Sequence, residues 1–429
     1  MRLGAMRLPA ARRLTDIPHL TALRHRDYRN TWSANMCSGA AMWTFIAAIS
    51  WLVLDKSDSS GWVGIVAFGS MIPFLVVSPV SGVLADVMDR RRVALAMFVA
   101  GALSVGLMAG LALADRVELW QVAVLAFVTG VFRATQEPAI QALIPNQVPR
   151  EDLLNAITLN SATRHGARLA LLIAAPLMAV DFIGVPGVLV LSTALQVLGA
   201  VLMGRTRTVS SGRMDPEHGL IRNFMDGLVH IYSHRVLTLF FVLVFLHCGL
   251  TMSFESILPV FSRDELGASD GSIFGYVVMG FGVGSLAGIL ALAGVRDERR
   301  KGQLLVWTGI ASGVTPMLLA VSGSVPLAVL AGAGMGASQA TFMALTLTYV
   351  QAVVPDRLRG RIASLYTLHA GGIMAFTNLG FGFAADAFSA PPILLATGLL
   401  FVMALIGLSA GQRRLRDVYR TGRVATVTT

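Results

Sequence analysis

The sequence predicts an all-α membrane protein of twelve transmembrane helices in two six-helix bundles, and three observations predict it. Of 429 residues, 55% are hydrophobic and only 14% are charged, whereas a water-soluble domain carries about 25% charged residues. The apolar residues fall in blocks of roughly twenty, the length a helix needs to cross the hydrocarbon of a bilayer. Landmarks of the first half of the chain also return in the second half at a near-constant offset.

Taken in order, the blocks lie at 31–54, 62–85, 93–114, 119–144, 154–180, 184–203, 236–260, 272–294, 303–321, 325–349, 362–384 and 390–410. Each is read as a helix, because an open strand edge in lipid leaves backbone polar groups unpaired. Glycine runs such as Gly280, Gly282, Gly284 and Gly332, Gly334, Gly336 allow close approach of helix backbones. The expected organisation is a tail at 1–30, a six-helix bundle at 31–203, a polar linker at 204–235, a second bundle at 236–410 and a tail at 411–429.

The basic residues set orientation. With an even number of spans the two chain ends share one side, and 28 of the 34 Lys and Arg fall on that side. Only Lys56, Arg116 and Arg263 fall on the other, and Arg133, Arg164 and Arg168 fall within spans. The positive-inside rule puts both termini in the cytoplasm. This distribution explains the net charge of +10 without nucleic acid as a partner. The basic first 28 residues hold no continuous apolar core and read as a cytoplasmic tail, not a signal peptide.

The repeat is legible in two places. Gly82–Arg92, between spans 2 and 3, is matched by Val295–Lys301, between spans 8 and 9. Gln147-Val148-Pro149, between spans 4 and 5, is matched by Val353-Val354-Pro355, between spans 10 and 11. Both offsets are 206–208 residues. Repeat-built transporters place the substrate near mid-membrane between the halves.

Intramembrane charge is expensive and marks function or a tight structural pair. Arg133 and Glu137 stand one helical turn apart on span 4, and Arg164 and Arg168 are spaced the same way on span 5. One internal cluster of Arg133, Glu137, Arg164 and Arg168 is expected. It serves either as a proton-exchanging site centred on Glu137 or as a static network joining spans 4 and 5. Glu255, toward the outer end of span 7, lines an external cavity or reaches the headgroups. Asn35 and Gln339 are polar mid-span candidates, and Gln339 falls at the repeat position of Arg133. Trp32, Trp43, Phe45 and Trp51 on span 1, with Phe254 and Phe261 on span 7, serve as a substrate wall or as interfacial and packing aromatics. His165, His247 and His369 share no metal-ligand spacing, and Cys37 and Cys248 both sit in apolar blocks, so neither a metal centre nor a disulfide is expected. No phosphate-binding GxxxxGK[ST] loop occurs. The expected energy source is therefore an ion gradient, with no cofactor.

The loop after span 2 supplies Gly82, Leu84, Ala85, Asp86, Arg90 and Arg91 and resembles the signature of the major facilitator superfamily, roughly G-x-L-a-D-r-x-G-r-[RK]. Arg133 and Gln136 resemble the R-x-x-Q-G signature of span 4, with Glu137 in place of Gly. Ala175-Pro176 stands where the antiporter signature carries Gly-Pro. Leu23–Arg29 and Pro138–Pro145 are similar to the enterobactin-exporter-like branch, which is associated with siderophore, macrolide and drug efflux. The resemblance implies a monomeric, multi-pass transporter of the bacterial inner membrane. It further implies rocking halves, proton-coupled export of a small amphipathic molecule, and a gating latch of Gly82, Asp86, Arg90 and Arg91. A metabolite importer, a lipid flippase and a membrane sensor are the alternative readings.

Overall fold

The computed structural model describes residues 18–77, 81, 88–210, 220–355 and 358–423. Among these, every regular element is helical. A 3-10 segment, Pro18–Arg24, precedes α1 (Arg26–Ser57), α2 (Ser60–Val76), α3 (Arg90–Leu113), α4 (Leu119–Leu143), α5 (Leu153–Gly166), α6 (Leu171–Met178) and α7 (Gly184–Gly204). The linker holds α8 (Leu220–Ser233). The second half contains α9 (Arg235–His247), α10 (Leu258–Asp264), α11 (Ser272–Ala293), α12 (Glu298–Ala320), α13 (Val325–Val353), α14 (Arg359–Phe388), α15 (Ala390–Gly411) and α16 (Arg413–Thr421).

Among the described residues, eight helical segments are long and apolar enough to cross a membrane. Their outward faces carry large apolar side chains such as Leu103, Leu290, Trp307 and Leu330, each more than 60% exposed. So much uncovered apolar surface is stable only against lipid.

The repeat has a physical basis in helix starts. Asp89 caps α3 by accepting the Arg91 amide at 3.1 Å, and Asp297 caps α12 by accepting the Arg299 amide at 3.0 Å. Each aspartate also pairs with an arginine three residues on, Arg92 at 3.6 Å and Arg300 at 3.8 Å. The sequence-level match 208 residues apart is thus a duplicated N-cap, which occupies the free amides of a helix start and favours its dipole.

Two spans read as continuous helices are broken, and this corrects their expected shape. Span 5 runs as α5, a 3-10 turn at Ala167–Ala170, and α6. Span 7 runs as α9, a π-helical turn at Cys248–Met252, an irregular stretch, and α10. Non-helical backbone at membrane depth needs partners from protein, and the structure supplies them. The Thr251 carbonyl accepts from Gln339 Nε2 at 2.8 Å, the Cys248 carbonyl accepts from Ser253 Oγ at 2.8 Å, and the Ser256 amide donates to Asn378 Oδ1 at 3.2 Å.

Packing between helices is tightest where glycine removes the side chain. Gly284 of α11 lies against the Ala333 carbonyl of α13, and Gly336 of α13 lies against the Phe281 carbonyl of α11. A Cβ at either position collides with backbone, as the glycine runs predict.

The apolar interior divides into three cores, and their layout defines the state of the molecule. One core, at the end remote from both chain termini, joins the two halves: Trp43, Trp51, Met108 and Leu171 pack with Phe254, Phe261, Phe274 and Met335. At the end holding the termini and linker there are two cores. One belongs to the first half, around Tyr28, Phe98, Leu143 and Met203. The other belongs to the second half, around Phe240, Phe342, Tyr366 and Phe401. The halves therefore share an interior at the far end and keep separate interiors at the tail end.

Candidate functional site

Arg168 sits on the 3-10 turn that interrupts span 5. Its guanidinium lies 3.7 Å from the ring centroid of Trp43 on α1 and 4.7 Å from that of Phe281 on α11. These are cation–π distances, and such contacts strengthen as water is excluded. Glu255, on the irregular stretch of span 7, acts on Arg168 through its charge. Both residues line one cavity of about 20 Å³ with Ile46, Phe254, Phe274 and Val278. That volume holds about one water molecule. Among the described residues no direct ion pair joins Arg168 and Glu255, and Arg168 Nε has no hydrogen-bond partner.

The site straddles the seam between halves: Trp43 and Arg168 come from the first, Glu255 and Phe281 from the second. Its position follows from the two broken spans. The 3-10 turn shifts Arg168 off the α5 register, and the unwound stretch after Met252 sets Glu255 at the seam. Gly282 permits the approach, since a Cβ there stands 2.5 Å from the Arg168 Cβ. Toward the start of α11, Gly275 fits against Ala175, and Gly271, just before the helix, fits against Met178 and Trp51.

The far end is closed by polar contacts across the same seam. Asp386 of α14 accepts from the amides of Ser60 at 2.6 Å and Gly61 at 3.0 Å and from Ser59 Oγ at 2.6 Å, so it occupies the amino end of α2. Arg263 Nη1 donates to Asp58 at 2.7 Å while its Nε donates to Asp264 at 2.7 Å.

The expected four-residue cluster is corrected in one member. Arg168 joins Glu255 and two aromatic rings across the seam, because Gly166 ends the helix that would have carried it on the face of Arg164. Arg133 and Glu137 remain on α4, with Arg133 5.8 Å from the Phe74 ring. The side chain of Arg164 lies outside the described residues, as do Gly82 and Asp86. Gln136 donates to Ser38 Oγ of α1 at 3.1 Å, and Asn35 donates to Asn160 Oδ1 of α5 at 2.8 Å. Gln339 supports the unwound backbone of span 7 and so does not repeat an arginine's role. Trp32 also packs structurally, donating to the Leu159 carbonyl at 3.2 Å.

Arg90 and Arg91 act within the first half and on the start of the linker. Arg90 Nη1 donates to the Ala142 carbonyl at 3.0 Å and to Ser210 Oγ at 3.2 Å, and Arg91 Nη2 donates to the Gly204 carbonyl at 3.1 Å. Asp27 holds the same linker segment, accepting from the amides of Arg207 and Thr208 and from Thr208 Oγ1 at 2.6–3.1 Å. His25 Nε2 lies 2.8 Å from Asp152, and Tyr28 OH donates to the Ala156 carbonyl at 2.7 Å. The Leu23–Arg29 phrase therefore staples span 1 to span 5 and to the linker. Residues missed in the sequence are Phe281, Asp386 and Asn378; an acidic residue just past an apolar block was the one available signal for Asp386.

A model of the transmembrane secretion effector family matches residues 17–419. The chain belongs to that family. It is a transporter of the major facilitator type and not an enzyme. It is 25% identical over 349 residues to the multidrug efflux pump Tap of Mycobacterium tuberculosis, covering 78% of this chain and 81% of that protein. It is 23% identical over 341 residues to macrolide efflux protein A of Streptococcus pyogenes, covering 74% and 79%. Its fold matches that of the nucleoside transporter NupG, at a TM-score of 0.69 and 12% identity over 90% of this chain and 98% of that one. It also matches a bacterial homologue of the lysosomal transporter Spinster, solved inward-facing and unoccupied, at a TM-score of 0.65 and 14% identity over 93% and 92%.

Proposed function

We propose that the protein exports small amphipathic molecules across the bacterial inner membrane by alternating access, exchanging them for protons, with both termini cytoplasmic. Export and the substrate class rest on the relatives named for multidrug and macrolide efflux. The cytoplasmic termini rest on the concentration of Lys and Arg at the tail end. In this orientation the shared far-end core closes the outer side, and the separate tail-end cores flank a cytoplasmic opening. The acting unit is one chain of two bundles, 31–203 and 236–410.

The observation that carries the reading is Arg168 held between Trp43 and Phe281 beside Glu255. Arg168 makes two kinds of contact there: cation to ring and cation to carboxylate. A cationic or flat amphipathic substrate offers the same contacts and competes with Arg168 for the rings and for Glu255. A proton taken up by Glu255 removes the carboxylate's attraction for either cation. Occupancy of Glu255 by proton or by substrate is then exclusive, which is the condition for exchange. This moves the coupling role from Glu137, inside the first half, to Glu255 at the seam. No nucleotide and no metal enter the scheme.

The test is transport of a cationic dye by the purified protein in proteoliposomes with an imposed pH gradient. Glu255→Gln should bind the cationic dye more weakly and lose gradient-driven accumulation, and Glu137→Gln should keep both. Full gradient response in Glu255→Gln with loss in Glu137→Gln returns the role to span 4. Transport indifferent to the gradient in the unmodified protein removes proton coupling altogether.

A further inference from the structure

A second opening lies far from the seam, on the outer surface at the tail end, where α12, α15 and α16 meet. It is a groove of about 250 Å³, over ten times the cavity at Arg168. Val306 and Ile310 of α12 form one wall, Leu405 and Ile406 of α15 form the other, and Arg416 and Tyr419 of α16 close one end. Ile406 is 55% exposed, so the groove opens on the face that meets lipid.

The helix at its end is amphipathic and docks its apolar face on α12, leaving its basic face outward. Within α16, Leu415, Val418 and Tyr419 are buried, while Arg413, Arg414, Arg416 and Arg420 are exposed. Spacings of three and four put the apolar residues on one helical face, and that face rests on Gly302 of α12, whose missing side chain leaves room for the Val418 carbonyl. Residues 413–423 contain five arginines against one acid, Asp417. Gly411 ends α15, so this charge begins within two residues of the last apolar span. A basic cluster at that depth attracts the phosphates of anionic lipids.

We propose that the groove holds an anionic phospholipid of the tail-end leaflet, with one acyl chain along Val306, Ile310, Leu405 and Ile406 and the phosphate on Arg416. Charge complementarity selects the occupant. The groove is apolar for the length of a chain segment and ends at a guanidinium flanked by further arginines, which is the polarity order of a lipid read from tail to headgroup. Neither a soluble anion nor a plain hydrocarbon uses both features. A lipid seated there bridges α12 and α16 and ties the C-terminal helix to the second half independently of the transport seam.

The test uses the full chain, purified in mild detergent, stripped of lipid and offered equal amounts of dioleoyl phosphatidylglycerol and dioleoyl phosphatidylethanolamine, with retained lipid counted by native mass spectrometry. Phosphatidylglycerol should be retained preferentially, and Arg416→Gln should reduce that preference about fivefold, the effect of one basic residue at an anionic surface. Ile406→Trp, which fills the groove and leaves every charge in place, should lower phosphatidylglycerol retention with unchanged helicity and elution. Glycerol 3-phosphate, which has the headgroup charge without chains, should not displace the lipid. Equal retention of the two lipids, or retention unaltered in both variants, overturns the proposal. Displacement by glycerol 3-phosphate makes the site one for soluble anions and overturns it as well.

Discussion

Asp386 and Ser60 meet across the seam at 2.6 Å, carboxylate to backbone amide, although 326 residues separate them in the chain. The contact occupies the positive end of α2 with a negative group from the opposite half, which favours the closed far end. Asp386→Asn keeps the shape and removes the charge. The site is exposed, and a weakening of about 1 kcal/mol is expected. This shifts the far-end-open population roughly fivefold. Spin labels at positions 115 and 323, in exposed far-end loops of the two halves, should report a longer distance component. An unchanged distance distribution would count against the contact as a latch.

Arg168 separates charge from shape. Arg168→Lys preserves the cation but loses the planar group that stacks on Trp43, and the two are not interchangeable at such a site. Dye efflux should fall severalfold in Arg168→Lys and by more than tenfold in Arg168→Ala, and Trp43→Phe should lie nearer the unmodified protein. Equal activity of the lysine and alanine variants contradicts a role for the charge.

Gly282 and Gly284, two residues apart on α11, face different neighbours. Gly282 faces Arg168 in the other half, whereas Gly284 faces the Ala333 carbonyl in its own. Gly282→Leu should wedge the seam, lowering transport while the melting temperature changes little. Gly284→Leu should overpack the second half by about 1–3 kcal/mol and lower the melting temperature. Identical melting behaviour in the two variants defeats this distinction.

Asp27 fastens the start of the linker. Burial opposes its ionisation, but donation by the Thr208 hydroxyl and by the Arg207 and Thr208 amides outweighs burial and holds its carboxyl below the usual carboxylate range. A depressed carboxyl stabilises the folded state at neutral pH, and the contribution is lost only as acid brings pH through the usual range near 4 and below. Asp27→Asn should speed proteolysis at 205–210 about tenfold at pH 7, as expected from one charge-assisted bond. The difference between variant and parent should vanish at low pH. Equal cleavage rates at pH 7 would remove Asp27 from the clasp.

The spans were legible because a lipid-facing helix has to be apolar over its whole length, and the repeat was legible because Asp89 and Asp297 each perform a local task, capping the next three residues. That Arg133 and Glu137 share a helix one turn apart was legible for the same reason, since helical spacing alone places them on α4. The breaks in spans 5 and 7 were not. The broken backbone of span 7 is held by Gln339 at Thr251 and by Asn378 at Ser256, partners 88 and 122 residues downstream, and helical periodicity carries no record of such partners. The seam site was hidden for the same reason, since Arg168 and Glu255 sit in different halves and acquire meaning only when those halves touch.

The three cores give the molecule a response to temperature. The far end is sealed mainly by apolar surface common to both halves, and among the described residues no comparable core joins the halves at the tail end. Burial of such surface is driven by water entropy and slackens in the cold, whereas the Asp386 and Arg263 contacts depend on charge and answer to salt. Cooling should therefore tilt this carrier toward opening at its far end before any cargo arrives, and warming should restore the seal.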